Sequence, residues 1–141
     1  MPFDFFDHTG DIGVRVTADS LARLFEVAAA AFVETIADLR TIEPRVTEVV
    51  RLPATELELL LVDWLSELLY RFEARGMLFS FAAVALTRES GNSWALSAEV
   101  QGEPFDAARH AVKALIKAVT YHKLAVRQLG AEWEATIVFD V

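Results

Sequence analysis

Residues 55–76 read TELELLLVDWLSELLYRFEARG, and this stretch organises the rest of the chain. Its apolar side chains recur at i, i+3 and i+4 spacing, which is typical of an amphipathic α-helix: Leu57, Leu60, Leu61, Trp64, Leu65, Leu68, Leu69 and Phe72. Thr55 and Glu58 match a T-x-x-E capping box, and Gly76 is suited to end the helix. The apolar face is wide, so we expect this helix to lie in the centre of the core.

A second long helix is predicted upstream. From Ser20, a typical N-cap residue, apolar side chains again recur at helical spacing to about Leu39: Leu21, Leu24, Phe25, Ala28, Phe32 and Ile36. Pro44 interrupts this pattern, and residues 46–52 then alternate as a β-strand does. We expect Pro53 to close that strand.

The remaining alternating segments come in pairs. Residues 3–5 and 12–16 alternate on either side of the DHTGDIG segment at 7–13, which therefore contains a turn between two strands. Residues 77–87 and 94–101 flank a turn-rich ESGN, and residues 124–129 and 133–141 flank a glycine, so both pairs predict β-hairpins. The closing ATIVFDV is almost continuously apolar, which predicts an interior strand covered on both faces.

Basic residues concentrate between positions 109 and 123. Apolar side chains over residues 106–118 recur at helical spacing and predict a third, shorter helix, with its basic residues on the outer face. That face is either simply solvated or a docking surface for an acidic partner or RNA phosphates. The basic residues of the stretch are Arg109, His110, Lys113, Lys117, His122 and Lys123, which include all three lysines of the chain.

Together these elements predict an α+β fold. We expect mostly antiparallel sheets, with two long amphipathic helices and the shorter third helix packed on them. The 141 residues are the usual length of one domain, so we assign 1–141 to a single domain.

Composition excludes several classes of protein. The chain has no cysteine, so disulfides, thiolate metal sites and thiol nucleophiles are excluded and any metal must use oxygen or imidazole ligands. The net charge of −8 argues against binding of nucleic acid through a generally basic surface. There is no apolar run long enough to span a membrane and no secretory signal is visible, so we expect a soluble, cytoplasmic protein.

A candidate metal site involves residues far apart in the sequence. If the last strand pairs beside the N-terminal strands, the carboxylate of Asp140 and the α-carboxylate of Val141 approach the turn that holds Asp11. Converging anionic groups repel one another unless a cation compensates them, and such hard oxygen ligands favour Ca²⁺ or Mg²⁺. The alternative is that Asp11 forms local hydrogen bonds in its turn and Asp140 is solvated.

Other residues of the DHTGDIG segment have simpler interpretations. His8 either hydrogen-bonds a backbone carbonyl or is a ligand, although Ca²⁺ would not select imidazole. Gly10 and Gly13 are expected to supply a positive φ or a close backbone approach. The motifs of serine hydrolases, P-loops, dinucleotide-binding folds and zinc proteases are all absent.

Four separated blocks of the sequence resemble the archease family: DHTGDIG at 7–13, WLSELLYRFE at 64–73, KAVTYHKL at 117–124 and the closing W-x-A-x-I-V-F-D-V. The resemblance covers essentially the whole chain. It implies a non-catalytic protein that assists an RtcB-type RNA ligase, the enzyme that joins tRNA exon halves. In that family the helper promotes formation of the ligase-guanylate intermediate and multiple turnover, so tRNA is engaged indirectly through the ligase.

The resemblance also implies a metal site. Family members bind a divalent cation, commonly Ca²⁺, and the matching positions here are Asp11, Asp140 and Val141, the last through a main-chain oxygen; Mg²⁺ and Mn²⁺ are alternatives. The sequence departs from the family pattern at Gly10, where the family usually has alanine. A glycine there loosens the turn without removing a ligand.

Two other functions are compatible with the sequence. One is a general chaperone or modulator of RNA-modifying enzymes, such as a tRNA methyltransferase, that acts through the basic stretch. The other is a metal-dependent hydrolase that uses Asp11 and Asp140, with His8 as general base. The oligomeric state and the ligase contact surface are left open by the sequence.

Overall fold

A computed structural model describes residues 2–8 and 10–141, apart from the side chain of His8. The elements in chain order are β1 Phe3–His8, β2 Asp11–Ala18, α1 Leu21–Ile36, a 3₁₀ turn Leu39–Thr41, β3 Val46–Glu56, α2 Leu57–Arg75, β4 Met77–Ser90, β5 Ser93–Pro104, β6 Ala118–Leu129 and β7 Glu132–Asp140.

The strands form two antiparallel sheets. One sheet has the order β1-β2-β7-β6 and the other has the order β3-β5-β4. The two predicted hairpins are therefore confirmed as β4–β5 and β6–β7, and the two strands predicted around the DHTGDIG segment pair as β1 and β2. The last strand is interior in its sheet, as predicted, because β7 lies between β2 and β6. Its adjacent residues Ile137 and Val138, whose side chains lie on opposite faces, are both buried.

Both long helices are confirmed, and they lie between the two sheets. Helix α1 contacts β2 of the four-stranded sheet and β4 of the three-stranded sheet, while α2 contacts β6 and β3. Trp64 of α2 is fully buried, and its indole nitrogen donates a hydrogen bond to the carbonyl oxygen of Phe25 in α1 at 2.9 Å. No helix in the described ranges is both long and apolar enough to cross a membrane.

The ends of the helices only partly match prediction. Ser20 caps α1 as expected, since its side chain accepts a hydrogen bond from the amide of Arg23, but the helix ends at Ile36. The capping box predicted for α2 is wrong: Thr55 belongs to β3, and Glu56 at the N-cap makes no side-chain capping bond. Gly76 ends α2 in the left-handed conformation, as predicted.

The prediction that Pro53 closes β3 is also wrong. The strand continues to Glu56, and its register against β5 shifts between Leu52 and Thr55. Proline has no amide hydrogen, so a strand accommodates it at such a bulge on an edge strand.

The predicted third helix over residues 106–118 does not form. The amides of Arg109 and His110 both bond to the carbonyl of Asp106, which is one turn of hydrogen bonds, and irregular chain follows. The turn stops because the ring of His110 accepts the Asp106 amide and because the amide of Lys113 bonds instead to the carbonyl of Ile36. Side-chain and tertiary hydrogen bonds thus replace the helical ones.

Candidate metal centre

Strand pairing brings Asp11 and Asp140 to the same end of the four-stranded sheet. In the antiparallel ladder of β2 and β7, Ile12 pairs with Phe139. Asp11 precedes Ile12 and Asp140 follows Phe139, so the two aspartates are cross-strand neighbours. The side chains of such neighbours lie on the same face of a sheet. Because Val14 and Ile137 lie in the core, alternation places Asp11 and Asp140 on the opposite, outer face.

The end of β7 is held in place by its neighbour on the other side. Ala118 of β6 pairs with Asp140, and the amide of Lys117 donates a hydrogen bond to the carbonyl of Asp140 at 2.7 Å. The side chain of Val141 packs against the core. Valine has no side-chain oxygen, so Val141 can act as a ligand only through its main chain.

The β1–β2 turn is shaped by its glycines. Gly10 has φ of 85°, so a residue with a side chain would be strained there. Gly13 pairs with Phe6 on β1, and the Phe6 ring lies where a Cβ on Gly13 would be, at 2.3 Å. Both expectations for these glycines are confirmed. Thr9 and the side chain of His8 lie outside the described part of the chain, so the predicted role of His8 stays a prediction.

We predict that Gly13→Ala destabilises the protein by about 1–2 kcal/mol, because the added methyl displaces the Phe6 ring from the sheet. Urea unfolding followed by tryptophan fluorescence measures this loss. The loss caused by Gly13→Ala should be smaller in a Phe6→Ala background than in the wild-type background. Equal losses in the two backgrounds would contradict the steric explanation.

The side-chain ligands near Asp11 and Asp140 suit a hard cation in kind but are few in number. Among the described residues, no group of three or more histidine, cysteine, aspartate or glutamate side chains is arranged to hold a metal. Asp11 and Asp140 supply two carboxylates, and the main-chain oxygen of Val141 is the third ligand that the family resemblance implies. Oxygen-only ligands with water completing the shell suit Ca²⁺ or Mg²⁺ better than a soft transition metal.

Comparison with known proteins places the chain in a family. The model of the Archease protein family matches residues 3–141. The chain belongs to the archease family. A protein archease of Methanopyrus kandleri is 38% identical over 142 residues, covering all of both chains. A protein archease of Pyrococcus furiosus is 34% identical and covers 99% of this chain and 98% of its own.

Two solved structures share the archease fold seen here. Protein 1598 of Methanobacterium thermoautotrophicum superposes with a TM-score of 0.82 at 26% identity, and the match covers 99% of each chain. An archease of Thermotoga maritima, described as a possible chaperone, has a TM-score of 0.60 at 22% identity, covering 96% of this chain and 94% of its own. At that identity the second comparison supports the fold alone.

The basic stretch of this archease is organised by a buried acid that the sequence did not reveal. Glu103 at the end of β5 is 1% exposed. Both of its carboxylate oxygens accept hydrogen bonds from the Arg109 guanidinium, at 2.6 and 3.1 Å. Its Oε2 also accepts the amide of Glu43 at 2.8 Å and lies 2.9 Å from Nε2 of His110. Glu103 thus joins the segment around residue 43 to the irregular segment that follows β5.

One of the basic residues predicted to face outward is therefore buried, and a second is exposed but paired with an acid. His110 is 1% exposed, and its Nδ1 accepts the Asp106 amide, so its Nε2 carries the hydrogen donated to Glu103. Lys113 is exposed but ion-paired with Glu34. The basic outer face predicted for this stretch is reduced by these pairings, although Lys117 and Lys123 are exposed.

The contacts of Glu103 set its protonation. Hydrogen bonds from Arg109 lower the pKa of Glu103 from 4.5 to about 2, with further lowering by the Glu43 amide and His110, while burial acts in the opposite direction. The same pair raises the pKa of Arg109 above its ordinary value. Glu103 is therefore ionised over the physiological range and holds both segments as a charged acceptor.

Proposed function

We propose that this archease is a non-catalytic accessory factor of an RtcB-type tRNA-splicing RNA ligase, which it activates by promoting ligase guanylylation and multiple turnover. The observation that supports this proposal most is the match of the archease family model along residues 3–141, together with relatives named archease that align over their full length. The partner is the ligase, and tRNA is engaged through it.

We further propose that Asp11, Asp140 and a main-chain oxygen of Val141 bind a divalent cation, with Ca²⁺ preferred and Mg²⁺ or Mn²⁺ as alternatives. The pairing of β2 with β7 supports this, since it places the two carboxylates side by side on one face. A bound cation offsets the repulsion between them and supplies a positive centre at the edge of the sheet. This centre would help to order the guanylated ligase intermediate.

We predict that Asp140→Asn weakens Ca²⁺ binding at least about tenfold, because the site loses one of its two carboxylates. Isothermal titration calorimetry with CaCl₂ measures the affinity. Glu132→Gln is the matched control, since Glu132 lies exposed at the other end of β7 and its substitution should leave the affinity unchanged. Equal affinities of Asp140→Asn and wild type would remove Asp140 from the site.

The function itself is tested by ligation of a broken tRNA with limiting cognate ligase. Wild-type protein and Glu132→Gln should allow many turnovers, and Asp140→Asn should lose that stimulation. No stimulation by the wild-type protein would overturn the ligase proposal. Stimulation of an unrelated tRNA methyltransferase as well would favour a general modulator, and hydrolysis of phosphoesters by the metal-loaded protein would contradict a non-catalytic role.

A further inference from the structure

Strand β1 is one edge of the four-stranded sheet, and its outward hydrogen-bonding groups can be assigned. The amide of Thr17 bonds to the carbonyl of Pro2, so residues 2 and 17 form a hydrogen-bonded pair. Along an antiparallel ladder such pairs alternate, which turns the main-chain groups of Asp4 and Phe6 towards β2. The amide and carbonyl groups of Phe3, Phe5 and Asp7 therefore point away from the sheet, at an edge open to another strand.

A groove runs beside this edge on the inner side of the sheet. Phe3 is buried in the core, so alternation places Phe5 and Asp7 on the same inner face, beyond the end of the packed interior. The groove has a volume of about 610 Å³ and its walls include the last full turn of α1 and the segment around residue 113. Its lining residues are Phe5, Phe6, Asp7, Ile12, Glu34, Thr35, Lys113 and Ala114.

Addition of a strand at this edge would use both the outward main-chain groups of β1 and the groove beside it. A segment hydrogen-bonded to the outward groups of β1 extends the sheet, and every second side chain of that segment then enters the groove. Phe5 is 45% exposed, which is unusual for a large apolar side chain on an inner face. Val112 and Leu115, which flank the groove residues Lys113 and Ala114, are 45% and 59% exposed. Exposed large apolar side chains beside a groove are typical of an interaction site.

The charged residues of the groove and of β1 favour a basic partner segment. Two carboxylates in the groove, on Asp7 and Glu34, face one ammonium, on Lys113, and Lys113 is already ion-paired with Glu34. Asp4 adds a further negative charge to β1, and residues 3–7 contain no basic residue. A second copy of β1 would place like charges along the new strand pair, which is destabilising. A strand that carries arginine or lysine is complementary.

We propose that the free edge of β1 binds an extended segment of a partner protein by strand addition, with an arginine or lysine of that segment in the groove. The aliphatic stem of that side chain packs against Phe5 and Ile12, and its charged group meets Asp7. The proposal does not rest on the ligase proposal. The groove lies on the inner face of the sheet, whereas Asp11 and Asp140 lie on the outer face.

The experiment uses end-capped, fluorescein-labelled peptides as long as β1, one alternating valine with arginine and one alternating valine with glutamate. Anisotropy titration of the full-length protein should give saturable binding of the arginine peptide and at least tenfold weaker binding of the glutamate peptide. Hydrogen exchange should show new protection of the amides of Phe5 and Asp7 on binding. Absence of binding of the arginine peptide, or protection elsewhere only, would overturn the proposal.

Variants separate strand addition from general attraction to an acidic protein. Phe5→Pro removes an outward amide that the ladder with β2 does not use and should weaken binding at least tenfold, while the matched control Phe5→Val keeps that amide and should bind nearly as well as wild type. Asp7→Lys should reverse the preference towards the glutamate peptide, and this variant decides the question if Phe5→Pro does not fold. Equal binding of the arginine peptide by Phe5→Pro and Phe5→Val would refute the proposal. So would sedimentation that shows a wild-type dimer which Phe5→Pro abolishes, because the edge would then bind a second copy of the chain.

Discussion

Replacement of Gly102 by alanine is expected to reduce the free energy of unfolding by about 3 kcal/mol or more. Gly102 is buried in β5 and pairs with Phe79 of β4 and Val46 of β3. A Cβ atom on Gly102 would lie 1.8 Å from the carbonyl oxygen of Leu78 and 2.6 Å from the Cα of Phe79. Both contacts are with backbone, so a rotation of a side chain cannot relieve them and β4 must move away from β5.

Urea unfolding of Gly102→Ala against wild type measures this loss. Ser97→Ala is the matched control, because Ser97 is exposed on the same strand and the change should alter stability by no more than about 0.5 kcal/mol. If Gly102→Ala lost less than about 1 kcal/mol, the close approach of β4 and β5 would not be the reason for glycine at this position.

The fold could be predicted from sequence where local pattern and tertiary packing agree. The spacing of leucines around Trp64 requires a helix that is buried on much of its surface, and α2 lies between two sheets. Ser20, Gly76 and the alternating hairpin strands act locally, so their roles were readable from neighbouring residues. The wrong details at Thr55 and Pro53 arose where a strand runs directly into a helix, because β3 continues through a bulge to Glu56.

The third helix was mispredicted because its hydrogen-bonding partners are distant in sequence. The apolar positions of residues 106–118 have helical spacing, but Val112 and Leu115 are exposed and only Ile116 among them lies in the core. Hydrogen bonds to Glu103 and to the end of α1 hold the segment instead. Nothing local marks Glu103 as buried, since a glutamate before a proline is ordinarily solvent-exposed.

The candidate metal site also has a part that follows from local sequence and a part that depends on tertiary structure. The sequence places Asp11 near Asp140 only on the condition that β7 pairs beside the N-terminal strands, and the structure has that pairing. The role of these residues as metal ligands stays a proposal. The groove beside β1 could not be predicted, since it depends on where α1 ends and where the segment around Lys113 returns to it.

Replacement of Glu103 by glutamine is expected to lower the free energy of unfolding by about 3 kcal/mol at neutral pH. Every neighbour hydrogen-bonded to this carboxylate is a donor, namely the Arg109 guanidinium, the Glu43 amide and Nε2 of His110. The amide NH₂ of a glutamine would have to face one of these donors, and it would leave the cation less well compensated. Glu99→Gln is the matched control, because Glu99 is exposed on the same strand and its loss should change stability little.

The contribution of Glu103 to the free energy of unfolding should also depend on pH. Its pKa is about 2 in the folded protein against an ordinary value of 4.5, so the folded state favours the ionised form. The stability that it contributes is fully present above pH 4.5 and is lost as the pH falls from 4.5 towards 2. Urea unfolding over this range should therefore show the difference between wild type and Glu103→Gln shrinking with acid. An acid outside this network with a lowered pKa, such as Glu48 paired with Arg75, is common to both proteins and cancels in the difference. If the stability difference between wild type and Glu103→Gln stayed constant as the pH fell towards 2, Glu103 would stabilise the two segments through its shape and not through its charge.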